Sequence, residues 1–205
     1  MSLIIGLTGG IGMGKSTISH MFEDAGIPVI DTDSITHNLY KRGTKSYIQI
    51  VKHFGREILN PDRTINRGKL GAIVFKDKIE RAFLNKILHP KIKQLAVEQI
   101  LDLDSSIIVM DVPLLFEANF EDVVDKIIVV YTTPEVQIER ICKRNPKFTP
   151  EMAKLRVDAQ MHIDKKKTKA DYLIDNSGSL EKLEEQFETL LELLDKEVDD
   201  NESLY

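Results

Sequence analysis

The sequence predicts an α/β fold with a helical insertion. Five short apolar runs, each the length of a buried strand, lie between segments with helical spacing of apolar residues. A glycine-rich loop and a helix follow the first run directly. The stretch 34–103, between the second and third runs, carries only helical patterns. Because a simple strand–helix–strand crossover needs far less chain, we interpret this stretch as an insertion.

The first predicted strand, Leu3–Leu7, leads into a phosphate-binding loop. Gly9, Gly14, Lys15 and Ser16 complete the pattern G-x-x-x-x-G-K-S, in which glycines let backbone N–H groups approach phosphate oxygens. The helix that follows offers unpaired N–H groups and the positive end of its dipole. We expect Lys15 to reach the β- and γ-phosphates of a nucleoside triphosphate and the Ser16 hydroxyl to ligate Mg²⁺.

Two carboxylates follow the second predicted strand, 27–30. Asp31 and Asp33 come just beyond its carboxyl end, which is the edge where ligands bind in open α/β sheets. Such a pair suggests a general base or a ligand to metal-bound water. One of the two could instead cap the helix that begins near Ser34.

The insertion contains an ambiguous His-Pro step. Its helices are predicted at 35–41, 46–54, 67–75, 79–88 and 90–103. Pro90 would begin the last helix at its first position, with His89 as a cap. A functional role for His89 is equally open.

The third predicted strand, 107–111, ends in an acid. A buried strand ending in aspartate is typical of a second Mg²⁺-site carboxylate in phosphate-loop proteins, so Asp111 is a candidate metal ligand. Pro113 then turns the chain away. The apolar residues after it, among them Leu114 and Phe116, could line a pocket or cover the core.

Two arginines lie on one face of the helix that follows the fourth predicted strand, 126–131. Gln137, Arg140 and Arg144 have the spacing i, i+3, i+7 in a helix predicted over 135–144. Two guanidinium groups can therefore point at one anion, and the planar guanidinium bonds phosphate oxygens bidentately.

The chain is locally basic around these arginines. Between Arg140 and Lys169 there are ten Lys or Arg and three acids. Thr149-Pro150 predicts a helix start, and Arg156 and Gln160 share one face of that helix. The basic stretch suits either a solvated surface or a mobile cationic flap over a triphosphate.

The fifth predicted strand, 171–175, ends at Asn176 between two patterns reminiscent of GTPases. Residues 168–171 fit T-K-x-D and residues 175–178 fit D-x-x-G. The first follows charged residues instead of an apolar strand, and the second comes too late in the chain. A kinase instead explains the aspartates, the insertion and the arginines together, since phosphoryl transfer needs positioning, charge neutralisation and exclusion of water.

Composition and charge further limit the class of protein that the sequence can encode. The net charge of −5 does not suggest a nucleic-acid binder, and no apolar run is long enough to span a membrane. The single cysteine, Cys142, cannot form an internal disulfide, so we expect a reducing cytoplasm.

Five segments together resemble the dephospho-CoA kinase family, which moves the ATP γ-phosphate onto the ribose 3′-hydroxyl of dephospho-CoA in the last step of coenzyme A synthesis. The resemblance extends over roughly residues 3–195. The segments are the loop 7–16, Ile30-Asp31-x-Asp33, Leu88-His89-Pro90, the run 111–117 and the run 170–178.

The resemblance implies a three-layer P-loop kinase core with a five-stranded parallel sheet, formed by residues 1–33, 104–138 and 170–205. It implies a helical dephospho-CoA-binding insertion at 34–103 and a helical lid at 139–169. ATP and Mg²⁺ are the expected cofactors and dephospho-CoA the expected partner. We expect no nucleic acid or membrane partner, and a monomer or small homo-oligomer.

The resemblance also implies roles for the matched residues. Asp33, Lys15 and Arg140 are expected to be catalytic, with Asp33 as the general base, or its orienter, near the 3′-hydroxyl. The residues expected to bind ATP are Gly9, Gly10, Ile11, Gly12, Met13, Gly14, Lys15, Ser16, Thr17, Arg140, Arg144 and Asn176. The residues expected to bind the acceptor are Thr8, Asp31, Asp33, His89, Leu114, Phe116 and Arg156. Those expected to ligate Mg²⁺ are Ser16, Asp33 and Asp111.

The chain departs from the family pattern at two positions. Thr32 replaces a small alanine, and His162 stands where a proline is common, which leaves the local turn of the lid in question. Two alternatives stay open: a kinase for another small nucleotide or nucleoside, and a nucleotide binder without turnover.

Overall fold

The computed structural model describes the backbone of residues 2–202 and the side chains of residues 2–200. Residues 1 and 203–205, which the sequence analysis assigns to the core, lie outside the described residues. The strands are β1 (Leu3–Gly9), β2 (Val29–Asp31), β3 (Ile107–Asp111), β4 (Lys126–Tyr131) and β5 (Tyr172–Asp175). They form one sheet in the order β2-β3-β1-β4-β5, and the predicted five-stranded parallel sheet is confirmed.

Helices occupy most of the remaining chain. They are α1 (Lys15–Asp24), α2 (Thr32–Leu39), α3 (Lys45–Phe54), α4 (Arg67–Lys76), α5 (Lys78–Leu101), α6 (Pro134–Arg144), α7 (Pro150–Asp158), α8 (Ile163–Lys167) and α9 (Leu180–Glu202). Over the part of the chain that the structure describes, none of these helices combines the length and apolar character needed to cross a membrane.

The chain divides into two compact units. The sheet unit contains the residues up to Ile30 and those from Ile100 onward, and therefore holds the sheet, α1 and α6 to α9. The helical unit contains Asp31–Gln99, and therefore holds α2, α3, α4 and most of α5.

The core of the sheet unit surrounds β1, β3 and β4. All five residues of β3 are buried, as expected for a central parallel strand covered on both faces. Helix α9 packs one apolar stripe onto this core, formed by Leu183, Phe187, Leu190 and Leu194. The Phe187 ring meets Phe22 of α1 edge-on, with 4.8 Å between ring centroids. This contact fixes the helix that follows the phosphate loop.

The predicted helix break at His89-Pro90 is wrong. Helix α5 runs unbroken through Pro90, although proline lacks the N–H that would donate to the carbonyl of Lys86. Its buried residues recur every four positions on both sides of the proline, at Leu84, Leu88, Ile92 and Ala96. Pro90 itself is exposed. Burial of one continuous apolar stripe therefore outweighs the missing hydrogen bond.

Replacement of Pro90 should stabilise this helix. For Pro90→Ala we expect the free energy of unfolding to rise by about 1–2 kcal/mol, because the gain in helix propensity exceeds the lost restriction of the unfolded chain. Urea unfolding followed by circular dichroism measures this. Lys91→Ala, at the next exposed position of α5, is the control and should change stability by less than about 0.5 kcal/mol. A decrease for Pro90→Ala would contradict this account of α5.

Candidate nucleotide and acceptor sites

The backbone of the phosphate loop requires glycine at two positions. Gly12 and Gly14 have φ angles of 77° and 84°, in the left-handed region that side chains disfavour. A Cβ on Gly14 would also lie 1.9 Å from the Asn176 amide nitrogen, so no larger residue fits. Gly14 is the N-cap of α1, and the first N–H groups of that helix point toward the loop.

Lys15 connects the loop to the centre of the sheet. Its ammonium pairs with the Asp111 carboxylate, and the Ser19 hydroxyl donates to the other oxygen of that carboxylate at 2.6 Å. Asp111 is buried at the end of β3, directly opposite Leu7 of β1. A buried carboxylate is costly unless it is paired and hydrogen-bonded, and both conditions are met.

The groups near Lys15 are oxygen donors of the kind that Mg²⁺ prefers. The Ser16 side chain is exposed at the start of α1, and Asp111 supplies a carboxylate. Among the described residues no three His, Cys, Asp or Glu side chains converge on one point. In proteins Mg²⁺ is usually held by one or two protein groups together with phosphate oxygens and water.

Two glutamines hold the Ile11 backbone from both sides. The Gln137 side chain, on α6, donates to the Ile11 carbonyl at 2.8 Å. The Ile11 N–H donates to the Gln160 side-chain oxygen, also at 2.8 Å. Both glutamines are predicted on helix faces that carry arginines. This is confirmed for Gln137 in α6 and wrong for Gln160, because α7 ends at Asp158. No motif connects them with a loop more than a hundred residues away.

Arg140 brings an unsatisfied donor to the same loop. Its Nη1 atom is buried and has no hydrogen-bond partner among the described residues. That atom lies 3.5 Å from the position that a Cβ on Gly14 would occupy. Because a buried guanidinium donor without a partner is costly, the position suits an anionic acceptor such as a phosphate oxygen.

The side chains of Arg144 and Arg156, the other two arginines predicted to bind substrates, differ in how they are held. Arg144 is exposed one turn farther along α6. The Arg156 guanidinium stacks on the Phe148 ring, 3.8 Å from its centroid, and donates to the Met152 carbonyl at 3.0 Å. These contacts hold Arg156 against its own helix, α7.

The expectation of a solvated surface is wrong at Lys166. This side chain is fully buried, and its ammonium lies 3.0 Å from the Glu117 carboxylate. The turn before α8, whose conformation the sequence left open at His162, is stabilised by a helix cap. The His162 imidazole Nδ1 accepts from the Asp164 N–H at 3.4 Å and so caps α8.

Three predicted acceptor residues near β1 and β3 differ in accessibility. Thr8 is fully buried, and its hydroxyl donates to the Pro113 carbonyl at 3.2 Å. Phe116 is also buried, with the Lys169 ammonium 5.0 Å from its ring centroid. Burial gives both side chains a packing role and no support for contact with the acceptor. Leu114, by contrast, is exposed.

The region after β5 supports the loop. The Asn176 amide donates to the Met13 carbonyl at 3.0 Å.

The two patterns reminiscent of GTPases have structural explanations here. The Asp171 carboxylate accepts from the Ile127 N–H at 2.8 Å, and the Asp175 carboxylate accepts from the Ser177 N–H at 2.9 Å. Both aspartates therefore complete turns and strand ends.

The helical unit contains the two aspartates that follow β2. Asp31 is the N-cap of α2, and its carboxylate accepts from the Asp33 N–H at 2.8 Å. This is the capping role that the sequence analysis left open for one of the pair. Asp33 lies in the first turn of α2 and is exposed.

Asp33 lines a cavity of about 290 Å³ within the helical unit. Tyr40 and Arg67 also line it, and the Arg67 guanidinium lies 5.5 Å from the centroid of the Tyr40 ring. Burial raises the pKa of Tyr40, and Arg67 offsets part of that rise, so the phenol is a neutral donor at physiological pH. Tyr40 and Arg67 were not predicted from the sequence, because neither belongs to a motif.

His89 lies inside α5 and is half-buried. Burial lowers its pKa below the usual 6.5, and the nearby Lys93 lowers it further. The imidazole is therefore neutral near pH 7, which suits a packing or hydrogen-bonding role.

The lowered pKa of His89 predicts a pH-dependent contribution to stability. Above the ordinary histidine pKa both states are neutral at this position. As the pH falls below it, the unfolded chain binds the proton first, so the folded state loses stability. We expect the unfolding free energy of the unmodified chain, minus that of His89→Gln, to decrease between about pH 8 and about pH 5. Urea titrations across this range measure it, and a pH-independent difference would contradict the burial of His89.

Comparison with known proteins identifies related sequences along nearly the whole chain. A family model described as dephospho-CoA kinase (CoaE) matches residues 3–182. A dephospho-CoA kinase from Listeria monocytogenes serotype 4b (strain F2365) is 46% identical over 194 residues, which cover 93% of this chain and 96% of that protein.

Two solved structures are similar in fold and sequence. A dephospho-CoA kinase from Campylobacter jejuni has a TM-score of 0.70 and 31% identity, over 96% of this chain and 98% of that one. A crystal structure from Thermus thermophilus has a TM-score of 0.82 and 28% identity, over 94% of this chain and 98% of that one.

Proposed function

Since the chain belongs to the dephospho-CoA kinase family, we propose that its phosphate loop and Arg140 bind the ATP phosphates while Asp33 prepares the acceptor hydroxyl. The reaction is transfer of the ATP γ-phosphate to the ribose 3′-hydroxyl of dephospho-CoA, the last step of coenzyme A synthesis. The observation that carries the placement of the ATP phosphates is the buried Nη1 of Arg140 beside Gly14, which has no hydrogen-bond partner among the described residues.

The ATP-binding residues stabilise negative charge on the phosphates. The backbone N–H groups of the loop and of the first turn of α1 donate to phosphate oxygens. Lys15 exchanges its Asp111 partner for the β- and γ-phosphates, and Arg140 and Arg144 add charge-assisted bonds. The residues in this set are Gly9, Gly10, Ile11, Gly12, Met13, Gly14, Lys15, Ser16, Thr17, Arg140, Arg144 and Asn176.

Ser16 and Asp111 would hold Mg²⁺, with Asp33 as a further candidate ligand. When bound, the ion neutralises charge on the phosphate oxygens. Asp111 can serve because Lys15 leaves its carboxylate when the lysine turns to the phosphates. Ser19 continues to orient the carboxylate through its remaining oxygen.

Asp33 accepts the proton of the 3′-hydroxyl, or orients that hydroxyl for attack. The residue is exposed and lines the cavity of the helical unit, so its carboxylate is accessible to a substrate. Arg67 and Tyr40 in the same cavity supply a cation and a neutral hydroxyl for polar groups of dephospho-CoA. Asp31 keeps the first turn of α2 in place through its cap.

The remaining assignments extend this picture. We assign residues 34–103 to dephospho-CoA binding, with His89 as a contact, and residues 139–169 to a lid that carries Arg156. Leu114 is the exposed apolar contact near the end of β3. The chain works on small molecules, without nucleic acid, in a reducing cytoplasm, as a monomer or small homo-oligomer.

The protein contributes positioning and electrostatics, and forms no covalent bond to the phosphoryl group. In phosphoryl transfer most of the rate comes from in-line placement and charge stabilisation. The loop backbone is held by Gln137, Gln160 and Asn176, so its N–H groups need little reorganisation during the reaction.

Removal of the Asp33 carboxylate should impair the chemical step. For Asp33→Asn we expect kcat to fall by about 10²- to 10⁴-fold, with the Kd for ATP changed by less than about threefold. Steady-state kinetics and calorimetric ATP titration measure the two quantities. The matched control is Asp24→Asn, which removes an exposed carboxylate at the end of α1 and should leave kcat unchanged. Weakened ATP binding with an unchanged kcat would exclude the proposed role.

Removal of the Arg140 guanidinium should impair the use of ATP more than the binding of the acceptor. For Arg140→Ala we expect kcat/KM for ATP to fall by about 10- to 100-fold, because charge-assisted donors to the phosphates are lost. KM for dephospho-CoA should change by less than about threefold. Lys143→Ala, exposed on the same helix, is the control. Equal losses for both substrates would argue against placing Arg140 on the phosphates.

The acceptor can be tested directly against the alternatives. An assay coupled to ADP release should show turnover with dephospho-CoA and little with AMP, CMP, uridine or pantothenate. Faster turnover with one of these other acceptors would favour a different small-molecule kinase. ATP binding without turnover on any of them would favour a binding protein.

A further inference from the structure

A closed series of contacts joins the phosphate loop to the turn between α7 and α8. It begins at the Ile11 N–H, which donates to Gln160 at 2.8 Å. Gln160 lies two residues beyond the end of α7, so that helix does not by itself direct the side chain toward the loop. Some other contact must therefore place this turn.

That contact comes from the next residue. The Met161 N–H donates to the Glu117 carboxylate at 3.0 Å. Glu117 belongs to the segment after β3, so the turn is attached to the same part of the chain that supplies Asp111. A single hydrogen bond to a charged group contributes only about 1.5–3 kcal/mol, and the carboxylate must itself be held.

Lys166 holds Glu117 and completes the series. Its ammonium is fully buried and lies 3.0 Å from the same carboxylate. It also donates to the Pro113 carbonyl at 3.3 Å, which in turn accepts from the Thr8 hydroxyl at 3.2 Å. Thr8 directly precedes Gly9, so the series returns to the loop where it began.

We propose that Gln160, placed by the Glu117–Lys166 pair, is a positioning residue that fixes the phosphate loop in its nucleotide-binding shape. Gln137 donates to the Ile11 carbonyl, so the two peptide groups that flank the Ile11 Cα are each held by one glutamine. The proposal rests on the proposed role of this loop in ATP binding.

Burial of Lys166 is difficult to explain by stability alone. A buried ion pair seldom adds stability over well-packed apolar residues of the same size, because desolvation offsets the attraction. It does specify one arrangement, since the fully buried Lys166 ammonium cannot tolerate loss of its partner. A loop that must present its N–H groups in one geometry benefits from that specificity.

The decisive experiment measures amide hydrogen exchange at Ile11 in the nucleotide-free protein, together with the KM for each substrate. For Gln160→Ala we expect exchange at Ile11 to be about fivefold faster and KM for ATP to rise by a similar factor, the usual effect of one lost hydrogen bond. KM for dephospho-CoA should stay within about twofold. Exchange at Val109, in the core of β3, should not change, which separates a local effect from general destabilisation.

Two further comparisons sharpen the test. Gln160→Glu keeps an acceptor for the Ile11 N–H and should restore its protection. Lys166→Met should accelerate exchange at Ile11 as Gln160→Ala does, whereas Lys165→Met, which removes the neighbouring exposed charge on α8, should not. If Lys166→Met does not fold, the Gln160→Ala variant still tests the proposal. The Gln160 side chain is only half-buried, so we expect that variant to fold.

Unchanged Ile11 exchange and an unchanged KM for ATP in Gln160→Ala would overturn the proposal. Faster exchange accompanied by equal changes in both KM values would also overturn it, since the contact would then not act through the ATP site. Failure of the unmodified protein to bind ATP would refute the proposed function instead, and the exchange measurement would still test the contact itself.

Discussion

The ion pair between Lys15 and Asp111 connects the phosphate loop to the middle of the sheet. The carboxylate is buried at the end of β3 and is also bound by Ser19, so α1 and β3 share one polar contact. A charge in this position is tolerated only when its partners are complete. The path of the loop, the start of α1 and the end of β3 therefore depend on one another.

Three later segments of the sheet unit each add a side chain to the same loop. Gln137 comes from α6, Gln160 from the turn after α7 and Asn176 from the end of β5. Arg140 adds a buried donor without a partner among the described residues. Polar groups held in this way act on charge without reorganising during the reaction. A short glycine-rich loop is thus made rigid by residues far along the chain.

Patterns dominated by burial were predictable from sequence, and polar contacts between distant segments were not. Strands β3 and β4 have the predicted limits, because a central parallel strand is a continuous apolar run. Thr149 caps α7 as predicted. The break at Pro90 was wrong because the buried stripe of α5 continues past the proline. Lys166 belongs to a charged run typical of an exposed surface, and only the fold brings Glu117 to it.

The position of the transferred phosphate tests the central claim most directly. Purified protein is incubated with Mg²⁺, ATP and dephospho-CoA, and the product is analysed by ³¹P and ¹H NMR. The account predicts one new phosphomonoester on the ribose 3′-oxygen, formed in equal amount to ADP. Formation of ADP without a new phosphomonoester, or with phosphate on another oxygen of the acceptor, would contradict it.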